Sequence, residues 1–306
     1  MCRAAGPWVV ATSVLVAGHA AAGARQQFRT AVDLVHVPVI VTGRDGTLVR
    51  GLTRDDFVIR EDGRAQQVSY FAEGAPGESL PLHVGLVLDT SGSMDRDLRE
   101  VQGAAVQFVR ALEEAADVTL IDFDTSVRVG RFLPASYPML FERIRSLKTG
   151  GRTSLYDAVG VYLEGSLARP GQHVLLLYTD GGDSASRLSF GKLQELLRRA
   201  NVIVYALGYL EHQSSTERTA LRLTVSRITR ETGGEAFFPS SAAEIHEFYA
   251  RILDELQSRY TLGYVSDNPR ADGRFRRLEV SVTAPRARNA RLRARTGYMA
   301  PGGGPG

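Results

Sequence analysis

Four short apolar runs, at residues 84–88, 118–123, 174–178 and 202–207, constrain this chain more than any other feature. They lack the alternation of a half-exposed strand, so each reads as a strand buried on both faces. Helical spacing lies between and beyond them. Leu98, Val101, Ala105, Phe108, Val109 and Leu112 recur at helical steps, as do Leu193, Leu196, Leu197 and Ala200. The pattern is clearest at Ile245, Phe248, Tyr249, Ile252, Leu253 and Leu256. A strand buried on both faces needs helices on each side of its sheet. The expected fold class is therefore α/β, with a doubly wound, mostly parallel sheet flanked by helices over residues 80–257. Ligands of such sheets bind at the carboxyl ends of the strands.

The flanks follow a different period. Val35, Val37, Val39 and Val41 alternate, and Pro38 inside that run predicts an edge or bulged strand. Asp45-Gly46 and Asp62-Gly63 are hairpin-turn signals, and residues 72–79 read as a linker. After residue 258 alternation returns at Tyr260, Leu262 and Tyr264, at Leu278, Val280 and Val282, and at Ala290, Leu292 and Ala294, with a turn at Asp272-Gly273. Neither flank has enough strands for an independent domain. Residues 28–75 and 258–298 are therefore expected to pack into one small β-sandwich, leaving 299–306 as a flexible tail.

Residues 1–25 read as a secretory signal: Arg3, an apolar stretch from Trp8 to Ala17, then small-residue cleavage sites near Ala22 and Ala24. The apolar stretch is shorter than the ~20 residues that span a bilayer. An uncleaved anchor is the alternative. Past the signal no stretch approaches membrane length, so no membrane span is expected after cleavage. The single cysteine, Cys2, lies within this segment, so neither an intrachain disulfide nor a cysteine-based zinc site is available.

The chemistry gathers at strand ends. The first buried run leads into Asp89-Thr90-Ser91-Gly92-Ser93, the third into Thr179-Asp180-Gly181-Gly182-Asp183, and Gly150-Gly151-Arg152-Thr153-Ser154 opens a helix from Leu155. All three loops carry hard oxygen donors, suited to Mg²⁺, Mn²⁺ or Ca²⁺. Each residue has a plainer role available, since Ser and Asp after a strand often cap the next helix. Asp183 is either a supporting group or a solvated carboxylate. Asp157 either braces the threonine loop or caps its helix. Arg152 either steers a ligand or is merely exposed.

Asp89-x-Ser91-x-Ser93, followed in order by Thr153 and Asp180, resembles the metal-ion-dependent adhesion site of von Willebrand factor A (VWA) domains, whose fold is Rossmann-like. The flanks, from DLVHVPVIVTGRDG to VSYF and from FRRLEVSV to ARTGY, resemble the bacterial VWFA-related family of acidobacterial type. The resemblance implies that Ser91, Ser93 and Thr153 approach the metal directly, with Asp89 and Asp180 acting mainly through water. Gly92 would let the backbone turn around the ion. A position left to water would accept a carboxylate from a protein partner.

Competing motifs fail. The loop from Asp89 has Met94 where a calcium-binding EF-hand needs glycine. His246-Glu247 lacks a second zincin histidine, Gly191-Lys192 lacks the rest of a P-loop, and no G-x-S-x-G elbow occurs. Ser91 stands where an aspartyl-phosphate transferase of the haloacid dehalogenase type would carry its second Asp. Nine arginines fall between Arg270 and Arg295. Arg291, Arg293 and Arg295 alternate, which predicts the solvated outer face of a sheet. Without interleaved aromatics it does not predict nucleic-acid binding. The expectation is an exported, periplasmic, envelope or extracellular binding module, not an enzyme, that grips an acidic residue of a protein partner through a divalent cation. The alternative is an envelope assembly protein whose metal stabilises the fold.

Overall fold

The computed structural model describes residues 34–74, 81–112, 115–180, 182–208, 215–240 and 242–302. These belong to one unit, Asp33–Gly306. The signal and its cleavage sites lie outside the described residues, as does most of the linker.

The chain opens with β1 (Leu34–Thr42), β2 (Phe57–Glu61), β3 (Arg64–Gln66) and β4 (Val68–Glu73). The α/β part follows: β5 (Leu82–Asp89), α1 (Leu98–Ala111), β6 (Ala115–Phe123), β7 (Val127–Phe132), α2 (Tyr137–Ser146) and α3 (Leu155–Leu167). It continues through β8 (Gln172–Thr179), α4 (Phe190–Arg199), β9 (Val202–Gly208), α5 (Ser215–Glu231), β10 (Ala236–Phe237) and α6 (Ala242–Ser258). The chain then returns to strands: β11 (Tyr260–Val265), β12 (Phe275–Val282), β13 (Arg291–Ala294) and β14 (Gly297–Met299).

The six-stranded sheet has the order β10-β9-β8-β5-β6-β7. It is parallel except for β7, which joins β6 antiparallel at one edge. The apolar strands divide their side chains between two cores. Val84, Leu86, Val174, Leu176, Ile203 and Tyr205 face α1, α2 and α6. Val87, Leu175, Leu177, Val204 and Ala206 face α3, α4 and α5. Uninterrupted hydrophobicity along a strand is thus two alternating sets, each with its own helical cover.

Gly85 makes room in the second layer. A Cβ built there would lie 2.3 Å from Cε2 of Tyr162 and 2.7 Å from Cδ1 of Leu175. Tyr162 is buried, with its hydroxyl 3.3 Å from the His83 carbonyl and 3.2 Å from that of Val174. Gly85→Ala must therefore displace a buried ring whose hydroxyl is anchored to the backbone. Chemical denaturation should show a loss of about 1–3 kcal/mol.

The flanking strands interleave in two antiparallel sheets, β13-β1-β11-β4 and β14-β12-β2-β3. Val37, Val39 and Val41 of β1, Ile59 of β2, Tyr260, Leu262 and Tyr264 of β11, and Leu278 of β12 share one core. Each sheet therefore needs strands from both ends of the chain. Ile40, on the opposite face of β1, joins the core beneath α1 and α6.

Three expectations are corrected. β1 is an inner strand, not an edge. Pro38 is tolerated because the ladder to β13 begins at Val39, so β1 is unpaired on that side at Pro38. The supposed tail begins inside a strand: Met299 ends β14 and Gly302 bridges to Asp272. The arginine stripe is solvated only at Arg291, because Arg293 and Arg295 are each only 9% exposed. Arg293 pairs with Glu255 of α6. Arg295 donates to the Arg198 carbonyl (2.9 Å) and to Oδ1 of Asn201 (3.3 Å). Both dock the sandwich against the α/β layer, a partnership that strand periodicity cannot reveal.

Candidate metal-ion site

The chain enters the large sheet at its middle, builds outward through β6 and β7, and returns to β8 on the other side of β5. The carboxyl end of β5 is therefore a topological switch point, where neighbouring connections diverge and leave a crevice. Asp89 ends β5 and Thr179 ends β8. The Thr179 hydroxyl donates to Oδ2 of Asp89 at 2.7 Å, and the Ser91 amide donates to Oδ1 at 2.9 Å.

Three loops meet here, and backbone bonds stitch them together. The Gly150 amide donates to the Thr90 carbonyl (2.9 Å) and the Gly92 amide to that of Gly151 (3.3 Å). The Ser184 and Ala185 amides donate to the Thr153 carbonyl at 2.8 and 2.9 Å. The tight turn lies at Gly151, with φ 72°, where a Cβ would meet the Thr125 hydroxyl at 2.7 Å. Gly92 has no positive φ among the described residues, which corrects the role expected for it.

This framework gathers the predicted donors. Asp89, Ser91, Thr153 and Asp180 are buried, while Ser93 is exposed at the mouth. The Ser91 and Ser93 hydroxyl oxygens are 3.0 Å apart. Burial pushes the Asp89 carboxyl up to about 7, and the charge of Asp180 adds to the rise. Hydrogen bonds from Ser91 and Thr179 offset it only in part. Two carboxylates held this close, with hydroxyls beside them, form a site that a cation would relieve.

The donor set also selects the kind of ion. Among the described residues no three His, Cys, Asp or Glu side chains cluster, so any ion here must rely on neutral hydroxyls as well as carboxylates. That composition fits a hard cation that keeps water ligands. The Ser91 and Ser93 hydroxyls, hydrogen-bonded to each other at 3.0 Å, would offer such an ion two neutral oxygen donors side by side.

The supporting residues resolve into distinct tasks. Asp183 accepts from the Tyr156 amide (3.2 Å) and the Ser186 hydroxyl (2.6 Å), capping α3. Asp157 accepts from the Arg187 and Leu188 amides at 3.0 and 2.8 Å, so it braces the loop after β8, not the threonine loop. Arg152 is exposed and turns to the Ser184 carbonyl.

Sequence reasoning missed the end of β6. Asp122 and Asp124 both bind Arg128, which also donates to the Thr90 hydroxyl at 3.3 Å, while the Asp124 carbonyl accepts from the Ser154 amide at 2.9 Å. The same strand-end rule applied to β6 would have exposed this brace.

Fold and crevice together define a doubly wound α/β domain whose carboxyl edge carries an oxygen-rich, three-loop site. Residues 83–251 match the von Willebrand factor type A domain, and the chain belongs to that family. A comparison with curated proteins gave no significant match. Among solved structures, the PilB minor pilin from Streptococcus sanguinis is similar at 15% identity and TM-score 0.49, covering 59% of this chain and 62% of its own. A von Willebrand factor type A protein from Catenulispora acidiphila is similar at 14% identity and TM-score 0.47, covering 87% and 73%. The vWF domain of the type V pili tip protein Mfa5 from Porphyromonas gingivalis is similar at 12% identity and TM-score 0.45, covering 62% and 99%.

Proposed function

We propose that this chain is an exported, non-enzymatic binding module that holds Mg²⁺ or Mn²⁺ in the three-loop crevice and uses it to grip a carboxylate of a protein partner. The observation that carries the reading is the set of paired serine hydroxyls beside two buried carboxylates at the switch point. Ser91, Ser93 and Thr153 would face the ion, with Asp89 and Asp180 compensating its charge from behind. When bound, the ion would act as a Lewis acid with a position open to an incoming carboxylate. The chain's own work is to orient the hydroxyls and to fix Asp89 by two hydrogen bonds. It also exposes Ser93 where a partner arrives. Loops 90–93, 150–154 and 180–183 contain no histidine or lysine to serve as a base.

The loop-to-loop backbone bonds favour this reading over a purely structural metal. They hold the crevice together through protein groups alone, so the metal-free protein should already be folded. A pull-down from envelope extracts should recover a partner with Mg²⁺ and lose it with EDTA. Recovery that ignores EDTA, from correctly folded protein, rejects the reading.

The elevated Asp89 carboxyl makes binding pH-dependent. Its pKa is raised from 3.8 to about 7, so the metal-free folded state holds the proton longer than the unfolded state. Its contribution to stability is therefore fully present below about pH 3.8 and lost as pH rises through about 7, by at most about 4 kcal/mol. A cation needs the ionised form. Calorimetric titration should show Mg²⁺ affinity roughly level above pH 8 and falling about tenfold per unit below pH 7. A flat profile between pH 5 and 8 contradicts Asp89 as a ligand-side charge.

Among the described residues no helix is long and apolar enough to cross a membrane. Export makes a separate prediction: N-terminal sequencing of the exported form should begin just after Ala22 or Ala24. A start at Met1 favours a retained anchor.

A further inference from the structure

β8 has two ends, and the metal crevice occupies only one. At the other, a cavity of about 260 Å³ lies where the amino ends of β8 and β9 meet β1 and β11. Eight residues of strand, a rise of roughly 23 Å, separate it from the crevice. Arg259, Gln172, His173 and His36 supply polar lining, and Pro38 and Ile203 supply apolar wall. Each of these four has a buried atom without a hydrogen-bond partner among the described residues: Nε of Arg259, Nε2 of Gln172, and Nδ1 of both histidines. Buried polar groups in native proteins are nearly always satisfied, so four orphans around one cavity point to water or a ligand there, and the charge of one of them decides between the two.

Arg259 is the strongest of them. It is only 5% exposed, and its side chain has neither an ion pair nor a hydrogen-bond acceptor among the described residues. The other buried arginines are all engaged: Arg276 by Asp272, Arg293 by Glu255, and Arg295 by carbonyls and Asn201. Glu255, one turn before Arg259, is committed to Arg293 and to the Tyr205 hydroxyl. Burial lowers Arg259 to about 10, which leaves it charged at neutral pH. An uncompensated buried guanidinium calls for an anion.

The chemistry narrows the anion. One guanidinium balances one negative charge, and its planar fork matches a carboxylate. Gln172 adds an amide donor. His173 directs Nε2 at the Arg169 carbonyl (3.0 Å), so in the neutral ring its buried Nδ1 is an acceptor, suited to a hydroxyl on the ligand. A cavity of ~150 Å³ is enough to hold benzene, so this volume admits an organic carboxylate of several carbon atoms.

We propose that this cavity binds a small organic carboxylate, held by Arg259 and Gln172, and that the ligand bridges the sandwich to the lower edge of the large sheet. The site is independent of the metal crevice. The test is calorimetry of the full chain with propionate, lactate and inorganic phosphate, in EDTA so that no divalent ion can capture the anion. Saturable binding of propionate or lactate is expected, weakened at least tenfold in Arg259→Gln. Gln172→Leu provides a second variant should Arg259→Gln fail to fold. In the wild type, imidazole resonances of His36 and His173 should shift with the same saturation curve. Absence of saturable carboxylate binding in EDTA overturns the proposal. So does preference for phosphate, or an affinity unchanged in both variants.

Discussion

Asp89→Ala should abolish divalent-cation binding while leaving the protein folded. Asp89 is fully buried at the centre of the crevice, between the Ser91 amide and the Thr179 hydroxyl. Its loss leaves Asp180 as the remaining carboxylate of the proposed donor set. In the native protein, saturating Mg²⁺ at ~100 times its dissociation constant should add ~2.7 kcal/mol by mass action. For a chain of this size that is a rise in melting temperature of about 5 °C. The Asp89→Ala protein should show no rise. Ser91→Ala and Thr153→Ala should weaken binding less, because water can replace a neutral hydroxyl. All three should keep the native circular dichroism spectrum, since the loops are tied by backbone bonds that these substitutions spare. If folded native protein shows no heat of Mg²⁺ or Mn²⁺ binding, with or without an added carboxylate, the adhesion-site reading fails.

Arg293→Ala should cost about 3–5 kcal/mol, a fall in melting temperature of roughly 5–9 °C. Arg293 and Glu255 are almost fully buried where β13 meets α6. Removing the guanidinium strands a carboxylate that also accepts from Tyr205 at 2.7 Å, with Arg251 no closer than 3.9 Å. The double substitution Arg293→Leu with Glu255→Gln should recover most of the loss, because the amide still serves the Tyr205 hydroxyl and no bare charge remains. A double variant as unstable as Arg293→Ala would mean that arginine packing, not charge compensation, supports the junction.

The metal crevice and the junction differ in how visible they were beforehand. Asp89, Ser91, Ser93 and Asp180 sit within five residues of strand ends whose apolar runs stand out, and Thr153 opens a helix, so all five could be picked out by order and residue type. The brace at Asp122, Asp124 and Arg128 lies at a third strand end, that of β6, and carries no motif of its own. The junction was not visible at all. Arg293 and Arg295 look like any exposed alternation until β13 is laid beside β1 and over α6. Their partners Glu255, Arg198 and Asn201 are distant in sequence, and nothing in local spacing marks them.

Local chemistry alone determined most of the strands and most of the helices here, because burial on both faces and helical spacing each leave a repeating apolar signature. It also determined the oxygen-rich character of the loops, since residue type sets what a loop can ligate. Tertiary structure decided the rest. It made β1 an inner strand, because the opposite flank of the chain supplies both its neighbours. It raised the Asp89 carboxyl, because folding removes water and brings Asp180 close. It left Arg259 buried without a partner among the described residues, beside Gln172, His173 and His36, residues from three separate segments that share a cavity only once the sandwich rests against the sheet. Desolvation and long-range proximity are properties of the folded chain, and no reading of neighbours in sequence contains them.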